Sequence, residues 1–264
     1  WNLLKQTWHP KRHQHVTVSE MRKKELEELL GNESPPVQAV PSGIDWASIL
    51  NLDEQTLDII DKYHLMNAFP VLFLPARITR RKNIEQAIAI TAALRKYYLS
   101  TALIISGPLG PHNPKNRVYF DELKQITQQN NLDRAHEKGA AKAVFLAEYT
   151  PDFLPMRTIY GLFRFTDALL FPSFQEGFGI PILEAGMVNM PIFCSNILPF
   201  HETAADMAYY FDPDGDPAPI AKRMHHIIQD HKTLNHKYKV KKNYTWNNIF
   251  TQQIEPLVLS NKKD

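Results

Sequence analysis

Two glutamates eight positions apart carry the clearest chemical signal in the sequence. Glu176 and Glu184 lie in the segment Phe171–Gly186, where an apolar, strand-like run leads into a glycine-containing loop and then a helical pattern. Pro181 stands where proline is favoured, in the first turn of that helix. We expect Glu184 in this first turn as well, about 5 Å along the axis at a rise of about 1.5 Å per residue. The two carboxylates would then flank the backbone amides of the loop and the helix start.

This arrangement suits a sugar that is joined to a phosphate. Carboxylates accept hydrogen bonds from vicinal hydroxyl groups, and free amides at a helix start bind phosphate oxygens. We therefore predict that one acid holds a ribose and the other a hexose, with a diphosphate between them on the amides of Gly177, Phe178, Gly179 and Ile180. In the alternative, Glu184 only complements the helix dipole, which is worth about 0.3–1 kcal/mol. That alternative gives no role to Glu176 or to the two glycines, Gly177 and Gly179.

Four basic residues lie between the end of one apolar run and the start of a helical pattern at Asn83. They are Arg77, Arg80, Arg81 and Lys82. Cations are disfavoured at a helix start because the helix dipole already makes that end positive. A bound anion would reverse this penalty, and ligands of open α/β sheets bind beyond the carboxyl ends of the strands. A solvated basic loop is the alternative.

Short apolar runs recur along the chain with little polar alternation, which is typical of strands buried on both faces of a parallel sheet. Segments with helical spacing, such as 117–130 and 216–230, separate them. This alternation predicts the α/β class, with a Rossmann-like, doubly wound parallel sheet and right-handed crossovers. Residues 107–112 and 136–142 are expected to be exposed loops. The predicted strands are Val71–Leu74, Ala102–Ile105, Ala143–Leu146, Ala168–Phe171, Ile192–Cys194 and Ala208–Phe211.

Two helix starts are predicted from capping residues. The sequence from Asn83 to Gln86 has the pattern of a capping box, and the helix should continue to about Tyr98. Ser19 should cap a charged helix that ends at Gly31. The inner face of the first of these helices should contain Ile84, Ala87, Ile88, Thr91 and Leu94.

Composition narrows the function further. The chain has 264 residues, 44% of them hydrophobic, and a formal net charge of +2, so its charge gives no case for nucleic acid or an anionic membrane. No stretch approaches the roughly 20 apolar residues of a transmembrane segment. The single cysteine, Cys194, permits no disulfide within the chain and favours a cytoplasmic location.

Neither a cofactor nor a metal is expected. A dinucleotide-binding G-x-G-x-x-G motif is absent from the sequence. His9, His13 and His15 are close together, but they have no carboxylate or cysteine at ligand spacing.

Four motifs, in the same order and at matching spacing, resemble those of retaining glycosyltransferases of family 4 (group 1), in the C-terminal, nucleotide-sugar-binding domain of the GT-B fold. The E-x7-E element is Glu176–Glu184, and the R-x4-K element is Arg77–Lys82. The approach to the domain is Pro41–Asp45, and a late aromatic signature is Tyr244–Trp246. The family's usual glycine after the second glutamate is Asn189 here, the next residue best able to adopt a left-handed helix cap.

The resemblance implies a hexosyltransferase that moves a sugar from a nucleoside-diphosphate donor, such as a UDP-sugar, to an acceptor with retention. Arg77 and Lys82 would neutralise charge on the departing diphosphate, so that no metal is required. Glu176 would orient the transferred sugar and complete the catalytic set. Glu184 would hold the ribose of the donor.

The resemblance also implies that half of the enzyme is missing. Residues 1–36 would be a remnant of the N-terminal acceptor domain plus a linker, residues 37–238 the nucleotide-sugar-binding domain, and residues 239–264 a C-terminal helix. The missing acceptor domain would be a partner, and the isolated chain would be inactive. Two alternatives stay open: a nucleotide-sugar 2-epimerase of the same architecture, and a non-catalytic module that binds sugar nucleotides.

Overall fold

The computed structural model describes residues 14–31, 36–109, 114–150 and 153–260. The chain divides into two compact units, one of residues 1–46 with 239–264 and the other of residues 47–238. The domain boundaries inferred from the sequence stay a prediction. In the described part of the chain, no helix is both long and apolar enough to cross a membrane.

The strands and helices are numbered along the chain. The strands are β1 (Val16–Thr17), β2 (Gln38–Ala39), β3 (Val71–Leu74), β4 (Ala102–Ile105), β5 (Lys142–Phe145), β6 (Ala168–Phe171), β7 (Ile192–Ser195) and β8 (Tyr209–Phe211). The helices are α1 (Glu20–Leu30), α2 (Trp46–Ile49), α3 (Glu54–Lys62), α4 (Ile84–Leu94), α5 (Pro114–Gln129), α6 (Met156–Phe165), α7 (Ile180–Met187), α8 (Leu198–Ala204), α9 (Pro217–Asp230), α10 (Lys232–Asn243), α11 (Trp246–Ile249) and α12 (Glu255–Ser260). A 3-10 turn, Arg80–Lys82, follows β3.

The larger unit is built on a six-stranded sheet in the order β5-β4-β3-β6-β7-β8, and every neighbouring pair is parallel. All side chains of β3, β4, β5, β6 and β7 are buried. Both faces of these strands are therefore covered, which explains why the runs lack polar alternation. The predicted parallel α/β sheet is confirmed, and each predicted strand agrees with the structure to within one residue at either end.

The strand order reverses direction between β3 and β6. From β3 the chain moves outward through β4 and β5, and it then returns to β6, beside β3, before moving outward through β7 and β8. The loops that leave the carboxyl ends of β3 and β6 therefore diverge and open a crevice, which is the usual ligand site of such sheets. Arg77–Lys82 follows β3, and the loop with Glu176 follows β6. Both predicted motifs thus lie at the switch point.

Helix α4 confirms the predicted inner face but not the predicted capping box. Asn83 has a φ of 50°, in the left-handed region, and its side chain makes no capping hydrogen bond. Its Nδ2 instead donates to the carbonyl oxygen of Pro213 at 2.9 Å. The helix also ends at Leu94 rather than near Tyr98. A hydrogen bond to a residue far away in the sequence therefore takes the place of the local capping hydrogen bond. The five residues predicted to face inward, Ile84, Ala87, Ile88, Thr91 and Leu94, are all buried.

The start of the loop after β4 is not exposed as predicted, because Gly107 and Pro108 are buried, whereas residues 110–112 lie outside the described residues. A Cβ atom at Gly107 would lie 2.0 Å from the carbonyl oxygen of Ala76, so only glycine fits there. The main chain after β3 and the main chain after β4 therefore touch directly. This close approach supports the base of the loop that carries the basic residues.

Lys142 was also expected in an exposed loop, but it is the first residue of β5 and fully buried. Its Nζ donates to the carbonyl oxygens of Tyr63 at 3.1 Å, Ala135 at 3.3 Å and Glu137. Burial lowers the pKa of Lys142 to about 8, and the charge of Glu137 opposes the shift. The buried ammonium ties the start of β5 to two surrounding loops.

In the smaller unit, β1 pairs with β2 in parallel, and Ser19 caps the start of α1 as predicted. The Ser19 hydroxyl accepts from the amide of Arg22 at 3.2 Å, and the helix ends at Gly31, whose φ is 72°. The late aromatic signature lies where α11 begins. A Cβ atom at Gly43 would lie 2.6 Å from the Trp246 ring, which accounts for the glycine there.

Candidate functional site

The centre of the site is an ion pair between Lys82 and Glu176. Lys82 ends the 3-10 turn after β3, and Glu176 lies in the loop after β6. The Lys82 Nζ donates to Glu176 Oε1, and both side chains are largely buried, with 10% and 9% of their surfaces exposed. Because β3 and β6 are neighbours with their carboxyl ends at the same edge, the fold brings together residues that are 94 positions apart. The sheet topology therefore forms the pair.

Two further residues contact the carboxylate of Glu176: Ser173, which was not predicted as a site residue, and Arg81 from the predicted basic run. The Ser173 hydroxyl donates to Oε1 at 2.9 Å, and Arg81 Nη1 lies 3.4 Å from Oε2. The main chain joins the same two loops, because the amide of Phe174 donates to the carbonyl oxygen of Arg81 at 2.9 Å. The sequence feature that could have identified Ser173 is its position three residues before Glu176, a spacing that permits a local side-chain hydrogen bond.

Burial lowers the pKa of Lys82, and the nearby charges of Arg81 and Arg77 lower it further. The hydrogen bond and the charge of Glu176 act in the opposite direction. Three cations and one carboxylate thus share this part of the site, and their formal charges sum to +2. A bound anion would relieve the repulsion among the cations and stabilise the charged form of Lys82.

The four basic residues separate into different environments. Arg77 is exposed, with its guanidinium 5.2 Å from the centre of the Phe153 ring. Arg80 turns to another partner, because its Nη2 donates to both carboxylate oxygens of Glu122, at 2.6 and 2.9 Å. The structure thus brings Arg81 and Lys82 to Glu176, leaves Arg77 open to solvent, and engages Arg80 elsewhere.

Helix α7 begins one residue earlier than the position of Pro181 suggested. Ile180 is its first residue, Gly179 precedes it with a φ of 92°, and Pro181 lies in the first turn as predicted. Glu184 is therefore the fifth residue, so its predicted place in the first turn is wrong. It is partly buried, and burial raises its pKa. Its position one turn along the helix weakens the explanation that it serves the helix dipole.

The loop before α7 leaves backbone donors available. The amide groups of Gly177, Phe178 and Gly179 donate to no acceptor within the described residues. Gly177 and Phe178 are exposed, whereas Gly179 is buried, and a Cβ atom there would lie 3.0 Å from the Phe200 ring. The predicted phosphate-binding amides therefore stand at the entrance to a helix without protein partners, which suits an anion.

At the C-terminal end of α7, Asn189 has a φ of 54°, which confirms the predicted left-handed helix cap. Its amide donates to the carbonyl oxygen of Gly186 at 3.1 Å, and the amide of Met190 donates to that of Ala185 at 3.0 Å. These two bonds form a Schellman cap. Asparagine therefore ends this helix in the way that glycine would.

With the two motifs at one crevice, comparison with known proteins decides the family. The family model for group 1 glycosyl transferases matches residues 58–244. This chain belongs to that family. A curated relative, O-antigen chain mannosyltransferase B of Escherichia coli, is 25% identical over 244 residues, which cover 90% of this chain and 58% of the relative. The chain thus spans little more than half the length of that relative.

Solved structures of glycosyltransferases have the same fold. One is the C-terminal domain of a group 1 glycosyl transferase from Francisella tularensis, with a TM-score of 0.52 and 20% identity. The match covers 80% of this chain and 98% of that domain. Another is an Anabaena protein in complex with UDP and glucose, with a TM-score of 0.52 and 17% identity over 98% of this chain and 65% of that one. The fold is therefore that of the GT-B glycosyltransferases, and the epimerase and non-catalytic alternatives are not favoured.

The predicted absence of a metal stays a prediction. His15 is described, whereas His9 and His13 lie outside the described residues. Among the described residues, no three His, Cys, Asp or Glu side chains are grouped so that they could hold a metal ion.

Proposed function

We propose that this chain is the donor-binding, C-terminal half of a retaining hexosyltransferase of family 4. The observation that carries the proposal is the cluster of Arg77, Arg81, Lys82 and Glu176 at the switch point of the sheet, with loop amides beside it that have no acceptor among the described residues. Its formal charge of +2 balances the two negative charges of a nucleoside-diphosphate sugar. The likeness to a C-terminal domain along 98% of that domain's length supports the assignment to one half of an enzyme.

In this proposal the cations act on the diphosphate. Arg77 and Lys82 neutralise the charge that grows on the diphosphate as the sugar leaves, and the amides of Gly177, Phe178, Gly179 and Ile180 bind its oxygens. Preorganised donors of this kind are usually the largest contribution to catalysis. Hydrogen bonds to charged groups contribute about 1.5–3 kcal/mol each. Because these cations balance the diphosphate, no metal is required.

The two glutamates act on the two sugars. Glu184 accepts hydrogen bonds from the ribose hydroxyls, and Glu176 accepts from the hexose and stabilises positive charge that develops on it. The name of the Escherichia coli relative supports a hexose donor. The Anabaena complex supports a uridine nucleotide. We place the reaction in the cytoplasm, where the single cysteine would remain reduced.

The experiment that tests donor binding is calorimetric titration of this chain with UDP, GDP and ADP in the presence of a chelator. We expect at least one nucleotide to bind without metal. Binding that occurs only after magnesium is restored would overturn the role given to Arg77 and Lys82.

A second experiment tests the proposal that an acceptor domain is missing. Transfer requires the acceptor oxygen about 3–3.5 Å from the reacting carbon. We expect no transfer by this chain alone with labelled donor and acceptor, and transfer with retention by the full-length enzyme. Clear turnover by the 264-residue chain alone would contradict the proposal.

A further inference from the structure

The two carboxylate oxygens of Glu176 have different surroundings. Oε1 accepts from Lys82 Nζ and from the Ser173 hydroxyl, so both of its lone pairs are engaged. Within the described residues, Oε2 has only Arg81 nearby, with Nη1 at 3.4 Å. That contact is long for a hydrogen bond. Oε2 is therefore the oxygen that retains the capacity to accept from a ligand.

Ser173 is well placed to hold this orientation. It lies two residues after β6 and is fully buried, so its hydroxyl has few alternative partners. Its donor engages the same oxygen as Lys82, and the pair prevents the carboxylate from rotating to exchange its two oxygens. A rotated Glu176 would lose one of these bonds.

Arg81 holds the loop as well as the side chain. Its Nη1 donates to the carbonyl oxygen of Gln175 at 3.3 Å, next to its contact with Glu176. Its own carbonyl oxygen accepts from the amide of Phe174 at 2.9 Å. Arg81 therefore fixes the main chain of the two residues that immediately precede Glu176. Arg81 contributes to the charge of the proposed donor site, but neither Arg81 nor Ser173 has been assigned a contact with the donor.

We propose that Ser173 and Arg81 are positioning residues, which fix Glu176 so that Oε2 accepts a hydroxyl of the transferred sugar. This inference rests on the proposed function, because it takes the ligand to be a nucleotide sugar. It predicts a specific effect. The two residues contribute to the extra affinity for a nucleotide sugar over the bare nucleotide, and the uncharged Ser173 does not contribute to the affinity for the nucleotide itself.

The test compares dissociation constants for matched ligands, UDP with UDP-glucose and GDP with GDP-mannose, by calorimetry on this chain. The variants are Ser173→Ala and Arg81→Gln. Ser195→Ala is the control for the first, because Ser195 is a fully buried serine one strand away whose hydroxyl has no hydrogen-bond partner among the residues that the structure describes. Arg80→Gln is the control for the second, because it removes the same charge from the same turn while its partner is Glu122.

We expect the ratio of the nucleotide dissociation constant to the nucleotide-sugar dissociation constant to fall at least threefold in both test variants. In Ser173→Ala the dissociation constant for the nucleotide alone should stay within twofold, and both controls should keep the wild-type ratio. Thermal unfolding of each variant establishes that it is folded, and the exposed Arg81 provides a test even if Ser173→Ala unfolds.

The other outcomes overturn the inference. An unchanged ratio with intact nucleotide binding would refute the positioning role and leave the proposed function standing. An equal fall in the controls, or a loss of affinity for the bare nucleotide in Ser173→Ala, would show a general effect on the site. If the wild-type chain bound neither nucleotide nor nucleotide sugar, the proposed function would fail together with this inference.

Discussion

Two buried lysines lie at opposite ends of the parallel strands of the same sheet. They differ in the groups that accept hydrogen bonds from their ammonium groups. Lys82 lies beyond the carboxyl end of β3 and pairs with the carboxylate of Glu176. Lys142 is the first residue of β5, at the amino ends of the strands, and its Nζ donates to three backbone carbonyl oxygens. Burial lowers the pKa of both ammonium groups. A shifted pKa is therefore not what distinguishes the lysine of the proposed donor site from Lys142.

The difference lies in the partner. Backbone carbonyls are fixed by the fold, so Lys142 cannot exchange them for a ligand without local unfolding. The carboxylate of Glu176 belongs to a loop at the switch point, and Lys82 has two further cations beside it. A ligand with both hydroxyls and phosphates can engage the acid and the base together. The excess positive charge around Lys82 is therefore the feature that supports the proposed donor site, and Lys142 has no such excess in its described hydrogen bonds.

The largest effect is expected for Lys82→Ala. The change removes a charge-assisted hydrogen bond to the diphosphate, worth about 1.5–3 kcal/mol, or roughly 10- to 150-fold in affinity. Calorimetric titration with the nucleotide that binds the wild type best measures it. Arg80→Gln is the matched control, since its charge is engaged by Glu122. An equal loss in both variants would show that overall charge, rather than the position of Lys82, determines binding.

Lys142→Met should change stability instead of binding. The variant leaves buried carbonyl oxygens without a donor, which costs about 1–3 kcal/mol in the free energy of unfolding. Urea denaturation measures this loss, and nucleotide titration of the folded variant should give the wild-type affinity. If the folded variant bound nucleotide markedly more weakly, the separation between a structural and a functional lysine would be wrong.

The pH dependence of stability sharpens the same comparison. Lys142 titrates at about 8 when folded, against 10.5 for an ordinary lysine. Between these values the unfolded chain binds more protons, so the wild type gains stability as pH rises, by at most about 1.4 kcal/mol per pH unit. The stability difference between wild type and Lys142→Met should therefore widen from pH 8 towards 10.5. A difference independent of pH would show that the folded pKa is not lowered.

The smallest effects are expected for the two acids. Glu184→Gln should weaken binding of a bare nucleotide about threefold to tenfold, because a ribose hydrogen bond contributes about 0.5–1.5 kcal/mol. Glu176→Gln should leave that affinity nearly unchanged and lower turnover in the full-length enzyme. Calorimetry and product analysis measure the two quantities. Equal effects on bare nucleotide would contradict the division of roles between the acids.

The sequence alone determined the elements of the sheet and several local signals. Uninterrupted apolar runs predict buried strands because both faces are covered, and the six runs agree with the sheet to within one residue. Ser19 and Asn189 were predictable because a helix cap depends on a few neighbouring residues. The E-x7-E and R-x4-K motifs also located Glu176 and Lys82 correctly at strand ends.

Only the tertiary structure decided which of these residues meet. Asn83 lost its predicted capping role to a contact with Pro213. Lys142 is buried with its ammonium on carbonyl oxygens of the preceding loop and of Tyr63, which is 79 positions away. Arg80 and Arg81 are adjacent in sequence, yet one pairs with Glu122 and the other reaches Glu176. Spacing along the chain predicts local hydrogen bonds, whereas such choices depend on which strands are neighbours. The reversal of strand order makes β3 and β6 neighbours, and this places Lys82 against Glu176.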